Sequence, residues 1–235
     1  MAAQAVFGGK PAWQGGPARR SQSPPTNVRC WIAIVLSGPN TASYSCRGNT
    51  IFEYLTKYQE AFWLVERGYI HVYTGNGKGK TTAALGISLR CVCAGKRVFF
   101  GQFIKDWEYS ELRAEEILPN FEIVQFGRGC FIDRDPEEED RRAAHEGLAR
   151  CDRALQSGEY DLVVLDEVNV ALFYDLFEAT DVIEVLERRN PRVEVVLTGR
   201  YAPQEIIDAA DLVTEMKEVK HYFNEGVGAR TGIER

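Results

Sequence analysis

The chain has 235 residues, of which 45% are hydrophobic, so it can bury one sizeable core and form one or two domains. Its formal net charge of −6 argues against a general nucleic-acid-binding protein. The charge is unevenly spread, because residues 1–52 hold five basic residues and no acidic one, while the remainder holds 23 basic and 34 acidic residues.

The beginning of the chain differs from the rest in composition. Residues 1–50 are rich in Gly, Pro, Ser, Ala and Gln and show no sustained periodicity, so we predict a disordered or non-homologous N-terminal extension. The apolar run at 31–36 is too short to span a bilayer, and we expect no membrane association. Residues 51–67 carry apolar residues at helical spacing and form a candidate N-terminal helix. The main domain is predicted at residues 68–235.

A strand, a glycine-rich loop and a helix are predicted next to one another. Residues 69–74 suit a strand, and glycines follow at alternate positions, where the backbone can expose successive N–H groups. A helix starts near Thr82, so its positive dipole end faces the loop. This arrangement predicts a phosphate-binding segment made of Thr74, Gly75, Asn76, Gly77, Lys78, Gly79, Lys80, Thr81 and Thr82.

The segment matches the end of the nucleoside-triphosphate loop G-x-x-x-x-G-K-[ST]. Thr74 occupies the place of the first glycine, which is a departure from that pattern. Lys80 is predicted to neutralise phosphate oxygens, and the Thr81 hydroxyl to bind Mg²⁺. The alternative is a glycine-rich turn with solvated lysines.

Further apolar runs predict an open sheet with interleaved helices. The helix after Pro136 begins with carboxylates at its positive dipole end and stops near Gly158. The polar residues that follow the predicted strand at 97–104, Lys105 to Glu111, are expected beside the phosphate loop. The remaining predicted strands are residues 97–104, 121–126, 160–167, 193–200 and 211–214, with a further helix at 203–210.

Charged residues end two of these strands. Four apolar residues precede Asp166 and Glu167, so both acids are delivered to the ligand edge of the sheet, where they are predicted to bind the metal. Arg200 follows another strand and is predicted to contact a phosphate, although a surface arginine is the alternative. His221 is predicted to be structural or peripheral. Together these features predict an α/β, P-loop NTPase-like three-layer sandwich with a mostly parallel central sheet.

These segments together resemble the P-loop type of ATP:corrinoid adenosyltransferase, also called cob(I)alamin adenosyltransferase. The resemblance covers the chain from about Glu66 to Arg235. The segments that carry it are GYIHVYTGNGKGKTTAALG at 68–86, QFIK at 102–105, VLDE at 164–167, LTGR at 197–200, ADLVTEM at 210–216, Lys220-His221 and GVGARTGIE at 226–234.

The resemblance implies transfer of the 5′-deoxyadenosyl group of ATP to the cobalt(I) of a reduced corrinoid, with release of tripolyphosphate. ATP, Mg²⁺ and the corrinoid are the implied ligands, and ATP is implied to bind in a reversed sense that presents its 5′ carbon. Gly75 to Thr82 corresponds to the phosphate loop, Glu167 to the metal-site carboxylate and Arg200 to the strand-end arginine. We therefore predict Lys80, Glu167 and Arg200 as the catalytic residues.

The chain departs from the resembled family at one segment. Some members carry an aromatic pair, in a Gly-Phe-Thr-Trp stretch, that packs on the lower corrin face. The corresponding residues here are Gly129-Cys130-Phe131-Ile132, so Cys130 and Ile132 replace the pair.

Two other functions remain open at this point. One is a P-loop ATPase or kinase that acts at the γ-phosphate, and the other is a regulatory module that binds ATP without turnover. The six cysteines are scattered through a chain large enough to fold without disulfides, so we expect reduced thiols and a cytoplasmic location. An electron-donating flavoprotein and a second copy of the chain are the expected protein partners, with no nucleic acid.

Overall fold

The structure is a computed structural model that describes residues 67–128 and 135–235. The predicted extension at 1–50 lies outside the described residues, and so does the candidate helix at 51–67 except for Arg67, which belongs to no helix or strand. The departing segment, Gly129-Cys130-Phe131-Ile132, is also outside them.

A six-stranded parallel sheet forms the centre of the described chain. The strand order is β3-β2-β4-β5-β1-β6, and every pairing is parallel. This confirms the predicted α/β class with a parallel sheet. The strands are β1 (Ile70–Thr74), β2 (Val98–Gln102), β3 (Phe121–Gln125), β4 (Leu162–Asp166), β5 (Glu194–Thr198) and β6 (Leu212–Glu215).

Helices connect successive strands, as parallel pairing requires. In chain order they are α1 (Lys80–Cys93), α2 (Ala114–Ile117), α3 (Glu138–Ser157), α4 (Val168–Phe173), α5 (Ala179–Glu187) and α6 (Gln204–Ala209), with 3₁₀ turns at Ser110–Arg113 and Tyr222–Glu225. None of the helices in the described ranges has the length and apolar composition needed to cross a membrane.

Two hydrophobic clusters lie on opposite faces of the sheet. Successive side chains of a strand point to opposite faces, so Phe99 and Phe100 in β2 belong to different clusters. The Phe99 cluster includes Leu148 and Leu155 of α3, whereas the Phe100 cluster includes Ala84 of α1. Every residue of β2 and β4 is buried, because helices cover both faces. The predicted three-layer sandwich is therefore confirmed.

Helix α1 begins at Lys80, two residues before the predicted start. Its buried residues are Lys80, Ala84 and Ser88, which recur every four positions and form one face. The Ser88 hydroxyl donates to the Ala84 carbonyl oxygen at 2.7 Å, which satisfies this polar group inside the core. Leu89 lies next to Ser88 in the sequence but is 50% exposed.

Candidate active site

The phosphate loop leaves the carboxyl end of β1 and packs against the backbone that follows β6. The Gly77 N–H donates to the Met216 carbonyl oxygen at 2.7 Å, and the Met216 N–H donates to the Thr74 carbonyl oxygen at 2.8 Å. A Cβ on Gly75 or Gly77 would lie 2.5 or 2.7 Å from the Met216 oxygen. The alternate glycines therefore allow two backbone segments to approach closely. Gly79, with φ of +116°, turns the chain into α1.

The phosphate loop curves around the side chain of Lys80, which holds it in that shape. Its ammonium donates to the carbonyl oxygens of Gly75 at 2.7 Å and Gly77 at 2.9 Å. Burial lowers the pKa of Lys80 and Arg200 adds to this effect, while Glu167 and Asp166 oppose it. The ammonium is thus placed inside the curve of the loop, where a bound phosphate would meet it.

Asp166 is fully buried at the end of β4 and accepts hydrogen bonds from several elements. Its Oδ1 accepts from the Thr81 hydroxyl at 2.9 Å and from the Thr198 hydroxyl at 2.6 Å. Its Oδ2 accepts from the Lys105 ammonium at 2.7 Å and from Gln102 Nε2 at 3.2 Å. The carboxylate therefore connects the start of α1 with the ends of β2 and β5.

Lys105 is a site residue that the predicted set lacks. Burial alone would lower its pKa, but the charge and hydrogen bond of Asp166, helped by Glu167 and Glu111, raise it overall. Its ammonium also lies 3.5 Å from the Thr81 hydroxyl oxygen. Its position directly after β2, in the QFIK segment, is the sequence signal that could have identified it.

Glu167 immediately precedes α4 and has a left-handed conformation, with φ of +60°. Its N–H donates to the Thr198 hydroxyl at 2.9 Å, so the chain turns sharply after Asp166 and the two adjacent carboxylates diverge. Burial raises the pKa of Glu167, and the charge of Asp166 raises it further, while Lys105, Lys80 and Arg200 oppose the rise. A cation bound beside Glu167 would favour the charged carboxylate, as the three basic side chains do.

A cavity of about 590 Å³ opens over these residues. The predicted residues Lys80, Thr81, Glu167 and Arg200 all line it. Asp166 lies beneath them and is not among the lining residues. From the phosphate loop, Gly77, Lys78, Gly79 and Thr82 also line the cavity, whereas Thr74, Gly75 and Asn76 do not.

The C-terminal tail borders the same cavity, with Ile233 and Glu234 in its wall. The Lys78 ammonium contacts the Ile233 carbonyl oxygen at 3.4 Å and Glu234 Oε1 at 3.6 Å. His221 also lines the cavity, but its Nδ1 accepts the Phe223 N–H at 3.0 Å and so caps a 3₁₀ turn. This contact fits the structural role that the sequence predicted for His221.

The donor set near Thr81 suits a hard cation that is bound mainly through phosphate. Thr81, Asp166 and Glu167 offer oxygen atoms, which Mg²⁺ prefers. The Lys105 ammonium already places positive charge beside Asp166 and Thr81. In residues 67–128 and 135–235, no group of three or more His, Cys, Asp or Glu side chains could by itself hold a metal ion. The residues fit Mg²⁺ that is shared with a triphosphate, rather than a cage made by protein alone.

Comparison with known proteins shows which family the chain belongs to. Residues 66–235 match the family described as ATP:corrinoid adenosyltransferase BtuR/CobO/CobP. The chain is 39% identical over 170 residues to the corrinoid adenosyltransferase of Escherichia coli K12, an alignment that covers 72% of this chain and 86% of the relative.

Two further relatives match the chain at comparable identity and coverage. The corrinoid adenosyltransferase CobA of Salmonella typhimurium is 40% identical over 170 residues, or 72% of this chain and 86% of the relative. The corrinoid adenosyltransferase of Pseudomonas aeruginosa is 36% identical over 173 residues, or 72% of this chain and 84% of the relative. The predicted resemblance is confirmed, and the chain belongs to the ATP:corrinoid adenosyltransferase family.

Proposed function

We propose that the cavity binds ATP with its triphosphate on the loop from Gly75 to Thr82 and its 5′ carbon turned toward a reduced corrinoid. The chain is an adenosyltransferase by family, and this proposal assigns the reaction to particular residues. The observation that carries it is the shared cavity, because residues 77–82 of the loop, Glu167 and Arg200 all line one volume.

The reaction places few chemical demands on the side chains. Cobalt(I) of the corrinoid supplies an electron pair to the 5′ carbon, the carbon–oxygen bond to the triphosphate breaks, and that bond pair leaves on the triphosphate oxygen. The new cobalt–carbon bond leaves cobalt formally as cobalt(III). Because the substrate is the nucleophile, the protein has to orient the substrates and stabilise the leaving group. No cysteine or serine is found among the described residues that line the cavity.

Cationic groups are concentrated where the leaving triphosphate would lie. Lys78 and Lys80 come from the loop, and Arg200 comes from the end of β5. The N-terminus of α1 adds bare N–H groups and the positive end of its dipole. These groups would stabilise the charge that develops on the triphosphate as the bond to the 5′ carbon breaks.

Thr81, Asp166 and Glu167 are the residues that would hold Mg²⁺. When bound, Mg²⁺ would supply further positive charge to the phosphate oxygens. Thr81 and Glu167 line the cavity, and the buried Asp166 carboxylate accepts a hydrogen bond from the Thr81 hydroxyl beneath it. Asp166 is oriented for this by its contacts with Thr198 and Gln102.

The proposal also covers the location, the electron donor and the oligomeric state of the enzyme. We infer a cytoplasmic enzyme that takes its reducing electron from a flavoprotein and acts as a homodimer in adenosylcobalamin synthesis or salvage. The resemblance to the family supports the flavoprotein and the homodimer. Among the described residues Cys91, Cys93 and Cys151 are free thiols, which is in keeping with a reducing compartment.

The reaction is tested by anaerobic incubation of the full chain with ATP, Mg²⁺ and a chemically reduced corrinoid. Loss of the cobalt(I) absorption with release of tripolyphosphate is the expected result. ADP with orthophosphate would instead indicate an ATPase or kinase, and ATP binding without an adenosylated product would indicate a regulatory module. Parallel assays with cobalamin, cobinamide and cobyrinic acid a,c-diamide would identify the preferred acceptor.

A further inference from the structure

Two stacked aromatic rings stand at the carboxyl ends of β4 and β5. Phe173 is the last residue of α4, and its ring centroid lies 4.3 Å from that of Tyr201, with 29° between the ring planes. Tyr201 lines the cavity, whereas Phe173 is not among the lining residues. Each residue is 52% exposed, so this ring pair is open to a ligand.

The backbone holds Tyr201 in a conformation that tyrosine seldom adopts. Its φ of +61° lies in the left-handed region, which favours glycine and asparagine. The segment is fixed on both sides, because the Ala202 N–H donates to the Thr74 hydroxyl at 3.4 Å and Asn169 Nδ2 donates to the Gly199 carbonyl oxygen at 3.4 Å. A bulky residue kept in a strained conformation beside a binding cavity indicates a use for its side chain.

The cavity lining combines two kinds of surface. The phosphate loop contributes charged side chains and backbone groups, and the segments that follow β4 and β5 contribute the apolar and aromatic side chains of Val170, Tyr174 and Tyr201. ATP has the matching division, because an anionic chain and a planar purine stand at its two ends. A triphosphate on the loop, with its sugar near Glu167 and Arg200, would bring the purine to this aromatic surface.

We propose that Tyr201, supported by Phe173, is the surface on which the purine ring of ATP stacks. The inference rests on the proposed function, because it assumes that ATP occupies the cavity with its triphosphate on the loop. An aromatic side chain can stack against any base, but its ring must already be held in position when the base binds. The Phe173 contact and the fixed backbone provide that positioning.

The position of Tyr201 in the sheet favours it over the other exposed aromatic residue of the cavity. Trp107 also lines the cavity and is 58% exposed, but it follows β2. In the strand order, β4 and β5 stand between β2 and β1, whereas β5 is the direct neighbour of β1. Tyr201 thus follows the strand beside the one that leads into the phosphate loop.

The test distinguishes purine contacts from phosphate contacts. Calorimetry in the presence of Mg²⁺ measures the binding of ATP and, separately, of inorganic tripolyphosphate. Tyr201→Asn removes the ring and suits the left-handed backbone, and Tyr201→Phe keeps the ring. We expect Tyr201→Asn to weaken ATP binding about tenfold and to leave tripolyphosphate binding unchanged, because only ATP carries a base. Tyr201→Phe should bind both ligands like the original chain, and Phe173→Ala should show a smaller loss for ATP alone.

Three results would overturn the inference while leaving the proposed function in place. The first is an equal loss of affinity for ATP and tripolyphosphate in Tyr201→Asn, and the second is no loss of affinity for either ligand. The third is weaker ATP binding in Trp107→Ala but not in Tyr201→Asn. Weaker binding of the reduced corrinoid by Tyr201→Asn, with ATP binding unchanged, would also overturn it and assign the ring to the second substrate. If the original chain bound neither ATP nor tripolyphosphate, the proposed function itself would fail.

Tyr69→Ala serves as the matched control. Tyr69 is 49% exposed and lies outside the cavity lining, so its loss should change neither affinity. Thermal unfolding of each variant, measured in parallel, confirms that the chain remains folded during the binding measurements.

Discussion

The Lys105 ammonium lies 2.7 Å from Asp166 Oδ2, and this ion pair joins the segment after β2, which lines the cavity, to the buried end of β4. The Asp166 side chain is fully buried and that of Lys105 is only 14% exposed. An ion pair of this kind matters most through the charge that remains when one partner is removed.

Lys105→Met should therefore destabilise the ligand-free protein. Removal of the ammonium leaves the buried Asp166 carboxylate with neutral donors only, so we expect the free energy of unfolding to fall by about 3 kcal/mol. Chemical denaturation measures this change. Added Mg²⁺ and ATP should narrow the difference, because a bound cation would restore positive charge near Asp166.

Arg113→Met is the matched control for Lys105→Met. It breaks the ion pair with Glu116, in which both side chains are largely exposed. Such pairs contribute little, and we expect a change of about 0.5 kcal/mol or less. Equal effects of the two substitutions would contradict the role given to the Lys105–Asp166 pair.

Lys80→Ala should abolish measurable turnover. The change removes the ammonium enclosed by the phosphate loop and two hydrogen bonds to loop carbonyl oxygens. Loss of a preorganised charge of this kind typically lowers the rate by at least about 10²-fold. Anaerobic turnover assays with ATP and a reduced corrinoid provide the measurement.

Lys96→Ala is the control for the lost charge, because Lys96 is exposed after α1 and does not line the cavity. It should keep the activity of the original chain. Near-normal activity in Lys80→Ala would contradict the assignment of the phosphate site.

Gly77→Ala should disturb the phosphate loop through a steric clash. The added Cβ would lie 2.7 Å from the Met216 carbonyl oxygen and 2.8 Å from the Lys217 carbonyl carbon, both of them backbone atoms. We expect a loss of about 1–3 kcal/mol in stability and weaker ATP binding. Thermal unfolding and calorimetry measure the two effects.

Gly228→Ala adds the same methyl group where no heavy atom lies within 4 Å. Its stability and its affinity for ATP should stay close to those of the original chain. If both glycine variants behaved alike, the close approach of the loop to residues 216 and 217 would not matter for binding.

Deletion of residues 1–50 should leave turnover largely intact. The predicted site residues all lie between Thr74 and Arg200, and the deleted segment lacks the periodic apolar residues from which a packed element is built. Steady-state kinetics of the truncated chain, compared with the full chain, measure the effect. A large fall in turnover with unchanged thermal stability would show that the segment takes part in the reaction.

The strands were predictable because each is a short apolar run that ends at polar or glycine residues. Leu162–Asp166 and Glu194–Thr198 were recognised in this way, within one or two residues of their ends. The face of α1 was less predictable, because a buried Ser88 and an exposed Leu89 reverse the usual preference. The sheet decides which face of α1 is buried, and local sequence does not contain that information.

The site was partly predictable for a related reason. Parallel strands deliver their carboxyl ends to one edge, so Glu167 and Arg200 could be assigned to the same cavity as Lys80. Lys105 was missed as a site residue because its importance comes from contacts with Asp166 and Thr81, which are far away in sequence. The contact of Glu234 with Lys78 is equally long-range.

The hydrogen bonds of Met216 with Thr74 and Gly77 also bear on the biosynthesis of the protein. The phosphate loop is encoded early in the main domain, yet the backbone that frames it follows β6. A growing chain that stops before residue 216 would contain every loop residue and still lack this frame. The capacity to bind nucleotide should therefore arise only after residue 216 has been added and has folded against the loop.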